Sequence, residues 1–408
     1  MPPAARSLTA DSPPADAPLT TRPGDVAATP PDDGPGATSA IRPHDASGEL
    51  PILGYDAIEY WVGNAKQAAH YYRTALGFRL TAYAGPETGV RDRASYVLEQ
   101  GRIRLVMTSA LIADHVIGDH QRRHGDGIRD VAFRVPDARA AFDDAVARGA
   151  TPLEPPHVVQ DDDGELVVAS IAVFGDTIHS LVERDDYRGV YLPGYQPVDH
   201  DALAAPIGLE LIDHAVANVE MGAMDEWSSF YQRILGFAQL RHFDDEAIST
   251  EYTALMSKVL AGGQGRIKIP INEPAVAAKR SQIDEFLDAY GGPGIQHLAL
   301  ATDDIVATVR ALNERGVSFL TVPSDYYREA RERVGEVDES WDDLAELGIL
   351  VDRDDEGYLL QIFTEPMQDR PTLFYEIIQR HGATGFGVGN FKALFEAIER
   401  AQARRGNL

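Results

Sequence analysis

The same order of helix, glycine turn and strand occurs twice in this chain, and this internal duplication limits the possible folds more than any other feature. Residues 71–78, YYRTALGF, return as residues 230–237, FYQRILGF. Further along, residues 127–133, GIRDVAF, parallel residues 294–300, GIQHLAL. The offset is about 160 residues in both comparisons, which is the length of a whole domain. We therefore predict two tandem domains that share one fold.

Within each half, the rhythm of strand, helix and further strands occurs twice again. The coarse plan is four such modules, paired into two open barrels, which is an α+β fold. Residues 1–48 are rich in Pro, Ala, Asp, Thr and Gly and are predicted to be a disordered tail. We expect an N-terminal domain over 49–190 without a catalytic site, a Pro-containing linker over 191–207, and a C-terminal domain over 208–408 that holds the site.

The composition excludes several classes of function. The chain has no cysteine, so disulfides, iron–sulfur clusters and thiol catalysis are excluded, and any metal must be bound by His and carboxylate. A net charge of −27 disfavours nucleic acid as a partner, because phosphate binding needs clustered Lys and Arg. The chain contains no apolar run of the ~20 residues needed to span a bilayer and no secretory h-region, so we expect no membrane contact and a cytoplasmic location.

Three polar residues interrupt apolar strands of the second half, and all three are possible metal ligands: His214, His297 and Glu376. Because side chains alternate along a strand, each of them points in the same direction as apolar neighbours, as it would into a barrel. Two His and one carboxylate form the facial set that binds non-haem Fe(II) and leaves three positions open. The equivalent positions of the first half hold Ala57, Asp130 and Ser180. One half therefore has a plausible ligand set, and the other has none.

The first half contains a second group of histidines, His115, His120 and His124, whose spacing could be mistaken for a metal cluster. They lie in a polar segment of helix or loop. We therefore predict that they lie on a surface helix and bind no metal.

Several segments of the chain resemble a known family. They are 61–69 (WVGNAKQAA), 270–274 (PINEP), 281–283 (SQI), 296–297 (QH), 359–363 (LLQIF) and 385–395 (GFGVGNFKALF). In these residues the chain is similar to the 4-hydroxyphenylpyruvate dioxygenases of the vicinal oxygen chelate superfamily, from about residue 50 to the C-terminus. That resemblance implies paired βαβββ modules in each of the two domains.

The resemblance also implies roles for particular residues. The family's iron ligands correspond to His214, His297 and Glu376, with one Fe(II) per chain. Polar positions around the substrate, which we assign to catalysis, correspond to Ser257, Asn272, Gln282, Gln296 and Gln361. The aromatic pair that packs on the substrate ring corresponds to Phe363 and Phe391. Phe374 and Phe386 correspond to further residues that line the cavity, and Pro270 is also assigned to substrate binding. The implied reaction converts 4-hydroxyphenylpyruvate, an α-keto acid, and O₂ into homogentisate and CO₂ in tyrosine catabolism, and we expect a homo-oligomer, either a dimer or a tetramer.

Two alternatives stay open at this point. A 4-hydroxymandelate synthase uses the same substrate and the same ligand set but oxidises the benzylic carbon. The segment 270–274 and Phe391 favour the branch that forms homogentisate. A ligand-binding protein of the same superfamily without catalytic activity is a different class, and it would not need an intact ligand set in one half.

Overall fold

The computed structural model describes residues 48–243 and 253–407. The predicted disordered tail, residues 1–48, lies outside the described residues except for Gly48. The described residues form two large sheets, one of nine strands and one of eight, with helices packed outside them. None of the described helices combines the length and the apolar composition that crossing a membrane requires.

The first half consists of two βαβββ modules joined by helix α2. The first module contains β1 (Gly54–Trp61), α1 (Ala65–Thr74), β2 (Arg79–Ala84), β3 (Arg93–Gln100) and β4 (Ile103–Ala110). After α2 (Val116–His124), the second module contains β5 (Gly127–Arg134), α3 (Ala138–Ala147), β6 (Pro152–Asp161), β7 (Gly164–Ala172) and β8 (Ile178–Glu183). The strand order is β6-β7-β8-β5-β1-β4-β3-β2, and the short β9 (Gln196–Pro197) extends the sheet beside β2.

The second half repeats this plan with additional helices. Its first module contains β10 (Leu209–Asn218), α4 (Met224–Phe230), β11 (Ala238–Phe243), β12 (Leu255–Gly262) and β13 (Ile267–Pro274). Helix α5 (Gln282–Tyr290) leads to β14 (Gly294–Thr302), α6 (Ile305–Glu314), α7 (Asp325–Val334), α8 (Trp341–Leu347), β15 (Leu350–Arg353), β16 (Tyr358–Phe363), β17 (Phe374–His381) and α9 (Phe391–Arg405). The strand order is β11-β12-β13-β10-β14-β17-β16-β15. Read in the reverse direction, it is the order of the first sheet with each of the strands β1 to β8 replaced by its equivalent in the second half. The duplication and the α+β fold of paired modules are thus confirmed.

The repeated Leu-Gly-Phe segment has a structural reason. In both halves it connects the first helix to the next strand. Its glycine has a left-handed φ, 77° at Gly77 and 74° at Gly236. A residue with a Cβ would be strained there. The flanking leucine and phenylalanine are buried in both halves. The segment therefore turns the chain sharply while anchoring both sides of the turn in the core.

Three buried tyrosines connect the two halves. The hydroxyl of Tyr60 on β1 lies 2.6 Å from that of Tyr375 on β17, and Tyr375 donates to the hydroxyl of Tyr72 on α1 at 3.0 Å. Burial raises the pKa of all three phenols far above the ordinary range, so all three stay protonated at neutral pH. Tyr375 precedes Glu376 and points to the opposite face of the strand. Strand β17, which holds Glu376, is therefore hydrogen-bonded to the first half through its opposite face.

Replacing Tyr375 by phenylalanine should destabilise the protein by about 1–3 kcal/mol, because the hydroxyls of Tyr60 and Tyr72 would stay buried without this partner. Denaturant unfolding of the purified variant measures the loss. Tyr71, which lies beside Tyr72 on α1 and is more exposed, provides the control. Tyr71→Phe should change the free energy of unfolding by less than about 0.5 kcal/mol. Equal effects of the two substitutions would show that the buried hydroxyls are not coupled.

The segment that follows the first half covers that half's own barrel. Tyr191 packs against Ala57, Ala82 and Val97, which are small or medium side chains inside the first sheet. Its ring also lies near the guanidinium groups of two arginines, with Arg104 at 5.6 Å from the ring centroid. The chain itself thus packs on these side chains of the first sheet.

The predicted surface position of the α2 histidines is wrong for two of them. His120 is 5% exposed and His124 is 2% exposed. The reason is a contact that sequence periodicity does not reveal: the end of α2 packs on Tyr290 of the second half, whose ring stacks on that of His124 at 4.3 Å. The two nitrogens of His124 lie 2.7 Å from the Tyr290 carbonyl oxygen and 2.7 Å from a carboxylate oxygen of Asp176. These histidines are part of the contact between the halves.

Candidate metal centre and its cavity

The three predicted ligands lie on adjacent strands, β10, β14 and β17, in the middle of the second sheet. Ala299 on β14 pairs with His214 on one side and with Glu376 on the other, so these two side chains share a face of the sheet. Oε2 of Glu376 lies 3.2 Å from Nε2 of His214 and 3.7 Å from Nε2 of His297. All three residues are buried, and one ligand atom from each lies within 4.8 Å of the others. The structure therefore brings the predicted ligand set together.

Hydrogen bonds at Nδ1 fix the orientation of both imidazoles. Nδ1 of His214 lies 2.7 Å from Oδ1 of Asp213, and Nδ1 of His297 lies 3.1 Å from Oε1 of Gln296. A carboxylate oxygen and an amide oxygen only accept, so Nδ1 is the donor in each ring. The lone pair of each neutral imidazole is then on Nε2, which is the atom that faces Glu376.

The charges of the cluster favour an ionised carboxylate. Burial would raise the pKa of Glu376, but the imidazoles of His214 and His297 lower it to about 2. Burial also opposes protonation of His214, yet the carboxylates of Glu376 and Asp213 raise the pKa of His214 above its ordinary value. For His297 burial dominates and lowers the pKa. The site thus offers an anionic oxygen at neutral pH, and a metal ion that binds there would displace the proton from Nε2 of His214.

These donors fit a metal ion. Bonds of ~2.1 Å from one ion to neighbouring ligands place those ligand atoms ~3 Å apart, close to the 3.2 Å between Oε2 of Glu376 and Nε2 of His214. Nitrogen and oxygen donors without a thiolate suit a first-row divalent ion, and a set of two His and one carboxylate is the usual one for non-haem Fe(II). The residues present could hold such an ion without rearrangement of the sheet.

The first half has the same backbone positions but no ligands there. Ala57 pairs with Ala132 as His214 pairs with Ala299, so Ala57 is the register equivalent of His214. By the same alignment of strands, the other two equivalents are Asp130 and Ser180. Ser180 donates to Asp130 through its backbone nitrogen at 2.9 Å and through its hydroxyl at 2.5 Å. The carboxylate that could have bound a metal is instead hydrogen-bonded inside the protein.

We expect one metal ion per chain, because only the second half has a ligand set among the described residues. Metal analysis of the iron-loaded protein should give this stoichiometry, and Asp130→Asn should not change it. Two tightly bound ions per chain, one of which is lost in Asp130→Asn, would contradict the prediction.

Asp130 also makes stability depend on pH. Burial is the main cause that raises its pKa to about 7, with a smaller contribution from the charge of Glu59. An acid whose pKa is higher in the folded state stabilises the fold below its unfolded pKa, near 4, and this stabilisation is lost as pH rises through about 7. Asp130→Asn should therefore match the parent protein at pH 4 and exceed it at pH 8, by on the order of 2 kcal/mol.

Urea unfolding at the two pH values measures the difference between Asp130→Asn and the parent protein. Asp143→Asn, at an exposed position of α3, is the control and should show no such pH-dependent gain. A gain of equal size at both pH values would point to a change in packing instead of titration.

The three residues face a cavity of the second half whose empty space, counted together with the part open to solvent, is about 610 Å³. Every predicted site residue lines it: His214, Ser257, Pro270, Asn272, Gln282, Gln296, His297, Gln361, Phe363, Phe374, Glu376, Phe386 and Phe391. Two of the polar ones contact the possible ligands. Nε2 of Gln361 donates to Oε1 of Glu376 at 3.3 Å, and Oε1 of Gln296 accepts from Nδ1 of His297 at 3.1 Å. Nε2 of Gln296 also donates to Oε1 of Gln282 at 3.5 Å.

Apolar residues outside the assigned site also line the cavity: Val216, Phe243, Leu255, Val259, Leu394, Phe395 and Ile398. Leu394, Phe395 and Ile398 continue the apolar stripe of α9 that begins at Phe391, and helical spacing in the sequence predicts this stripe. No sequence pattern assigned a role to Asn390; it is fully buried, does not line the cavity, and its Nδ2 donates to Oε1 of Gln361 at 3.1 Å.

Comparison with known proteins identifies the family. The profile described as "Hydroxyphenylpyruvate dioxygenase, HPPD, N-terminal" matches residues 48–196, and the profile of the "Glyoxalase/Bleomycin resistance protein/Dioxygenase superfamily" matches residues 211–362. A 4-hydroxyphenylpyruvate dioxygenase of Dictyostelium discoideum is 47% identical over 365 residues, covering 87% of this chain and 100% of the relative. The chain belongs to the 4-hydroxyphenylpyruvate dioxygenase family.

Other members of the 4-hydroxyphenylpyruvate dioxygenase family agree with this assignment. The protein of that name from Yarrowia lipolytica is 47% identical over 370 residues, covering 87% of this chain and 93% of the relative. Among solved structures, a triple mutant of 4-hydroxymandelate synthase from Streptomyces coelicolor has a TM-score of 0.78 and 37% identity, covering 86% of this chain and 100% of that chain. The synthase shares the fold at lower identity than these dioxygenases.

Proposed function

We propose that this chain is an Fe(II)-dependent 4-hydroxyphenylpyruvate dioxygenase, with one iron ion per chain. It converts 4-hydroxyphenylpyruvate and O₂ into homogentisate and CO₂, a step of tyrosine catabolism. The main support is one observation: His214, His297 and Glu376 line the same cavity as a set of amide side chains and phenyl rings. The substrate has the matching parts, an α-keto acid that can chelate a metal and a phenol ring.

We assign His214, His297 and Glu376 to the iron ion as ligands. When bound, Fe(II) would supply the electrons that activate O₂ and open positions where the keto acid can chelate. The protein's part is to keep the ligand atoms in place. Gln361 holds Oε1 of Glu376 through its amide nitrogen and is itself held by Asn390, which leaves Oε2 of Glu376 directed at the two histidines.

The remaining cavity residues are proposed to bind the substrate. Phe363 and Phe391 would pack on its ring, with Pro270, Phe374 and Phe386 completing the apolar wall. The amides of Asn272, Gln282 and Gln296 and the hydroxyl of Ser257 would hydrogen-bond the substrate oxygens and fix which ring carbon faces the metal. A small number of polar groups in a mostly apolar cavity is the usual arrangement of a small-molecule site.

Helix α9 is proposed to exclude water from the reaction. It presents Phe391, Leu394, Phe395 and Ile398 to the cavity. Before it lies Gly387, which has a left-handed φ of 74° and can act as part of a hinge. A closed apolar cavity prevents water from intercepting activated intermediates during the reaction.

Product identification after anaerobic iron loading tests the proposal. 4-Hydroxyphenylpyruvate and O₂ are added, and homogentisate is expected. Homogentisate and 4-hydroxymandelate have equal mass, so chromatographic separation against both standards is essential. Formation of 4-hydroxymandelate would assign the chain to the synthase reaction. Substrate binding to the iron-loaded protein without O₂ consumption would indicate a binding protein without catalytic activity.

We keep two expectations from the sequence as proposals: that the enzyme is cytoplasmic and that it is a homo-oligomer, either a dimer or a tetramer. Light scattering of the purified protein measures its molar mass in solution and so its oligomeric state.

A further inference from the structure

A buried ion-pair cluster lies beside His214, outside the cavity. The carboxylate of Asp213 accepts from Nδ1 of His214 and, through both oxygens, from Arg380, at 2.8 Å from Nε and 2.9 Å from Nη2. Nζ of Lys268 lies 3.3 Å away on the same carboxylate. The side chain of Asp213 is 6% exposed and that of Arg380 is 17% exposed. Neither residue lines the cavity, so each can act on the reaction only through a neighbour.

Arg380 also reaches the segment that leads to helix α9. Its Nη1 donates to the carbonyl oxygens of Gly385 at 2.7 Å and Ala383 at 3.2 Å. Its guanidinium lies 5.7 Å from the ring centroid of Phe386, and that ring contacts the His214 ring at 5.3 Å between centroids. One guanidinium therefore joins the carboxylate behind a metal ligand to the backbone at the start of the C-terminal segment.

We infer that Asp213 and Arg380 are a pair of positioning residues for this reaction. Asp213 holds the His214 ring with Nε2 towards the metal position, and Arg380 holds Asp213 in place while fixing residues 383–386 against the same ring. The inference rests on the proposed metal site. It assigns functional roles to two residues that contact neither the substrate nor the metal.

The geometry requires these two side chains in particular. A carboxylate that orients a ligating imidazole also raises its basicity, and losing such a partner typically costs ~10–100-fold in metal affinity. The planar fork of arginine can bind a carboxylate with two donors and still direct its third nitrogen at backbone carbonyls, whereas the single ammonium group of lysine cannot do both. Asparagine at 213 keeps the size of the side chain but loses its charge.

Metal affinity without substrate tests the inference. We would titrate Co(II) into metal-free protein under anaerobic conditions and record its ligand-field absorption, which reports the geometry of the bound ion. Asp213→Asn should bind Co(II) ~10–100-fold more weakly, with a changed spectrum, while the protein stays folded by circular dichroism. Arg380→Lys should lower the affinity about 10-fold, and the loss in the double variant should be less than the product of the two single losses, because Arg380 acts on the metal position partly through Asp213.

Arg353→Lys is the matched control. Arg353 lies on β15, donates to the carbonyl oxygens of Val334 and Glu336, and lies over the ring of Tyr358 at 5.3 Å, but it does not contact a predicted ligand. The Arg353→Lys variant should bind Co(II) with the affinity and spectrum of the parent protein. Parent-like affinity and spectrum in Asp213→Asn would overturn the inference, as would equal losses in Arg380→Lys and Arg353→Lys. Absence of Co(II) binding in the unsubstituted chain would instead contradict the proposed metal site itself.

Discussion

Replacing Glu376 by alanine should lower turnover of 4-hydroxyphenylpyruvate by ~1,000-fold or more, which corresponds to about 4 kcal/mol of transition-state stabilisation. Glu376 is the anionic member of the proposed ligand set, and its Oε2 lies 3.2 Å from Nε2 of His214 and 3.7 Å from Nε2 of His297. Without it, the remaining two imidazoles cannot hold Fe(II) firmly at limiting iron. Iron content after desalting and the rate of homogentisate formation are the two measurements.

The control for this variant is another buried glutamate of the same sheet. Glu273 on β13 is 5% exposed, but its carboxylate accepts from the backbone nitrogen of Met224 at the start of α4, away from the cavity. Glu273→Gln should keep turnover within about 3-fold of the parent, because only a hydrogen bond at the helix end is altered. Near-normal turnover of Glu376→Ala at limiting iron would exclude this residue as a ligand.

The second large effect is expected at Phe391. Phe391→Ala removes an aromatic side chain from the cavity wall, and burial of such a side chain against a ligand stabilises binding by about 1.5–3 kcal/mol. Substrate affinity should therefore fall ~10–100-fold while iron binding is unchanged. Because the cavity also becomes more open to water, O₂ consumption should exceed homogentisate formation.

An oxygen electrode and product chromatography on the same sample give the ratio of O₂ used to product formed. Lys392→Ala, at the next position of α9 and not on the cavity wall, is the matched control. Hydrogen exchange tests the proposed closing motion: exchange in residues 385–400 should slow when substrate or a diketone inhibitor binds. Equally slow exchange with and without ligand would show a fixed helix, and a normal ratio of O₂ to product would show that Phe391 does not protect the reaction.

The cluster of possible metal ligands could be predicted because it combines two signals. His214, His297 and Glu376 each interrupt an apolar strand, where an uncompensated polar group is costly. The duplication then supplied an internal comparison, since Ala57, Asp130 and Ser180 occupy the same register in the other half. Sequence periodicity and a repeat were enough to predict the paired modules and the cavity face of the strands.

What could not be predicted depends on contacts between distant segments. Asp213 and Arg380 are 167 positions apart, and no local pattern pairs a charged residue on β10 with one on β17. The burial of His120 and His124 likewise depends on Tyr290 from the other half, so a polar helix was assigned to the surface. Side-chain pairing across a sheet or between halves requires the three-dimensional arrangement.

The hydrogen bonds of Tyr375 on β17 limit which parts of such a duplicated gene can be lost. The strand that holds Glu376 places Tyr375 against Tyr60 and Tyr72 of the other copy, so the first half completes the packing of the second. Substitutions at Ala57, Asp130 and Ser180 of the first half would leave this contact untouched. A deletion of that half would expose the face of β17 opposite Glu376 to water. Selection on the packing of the second half alone would therefore be enough to retain the first.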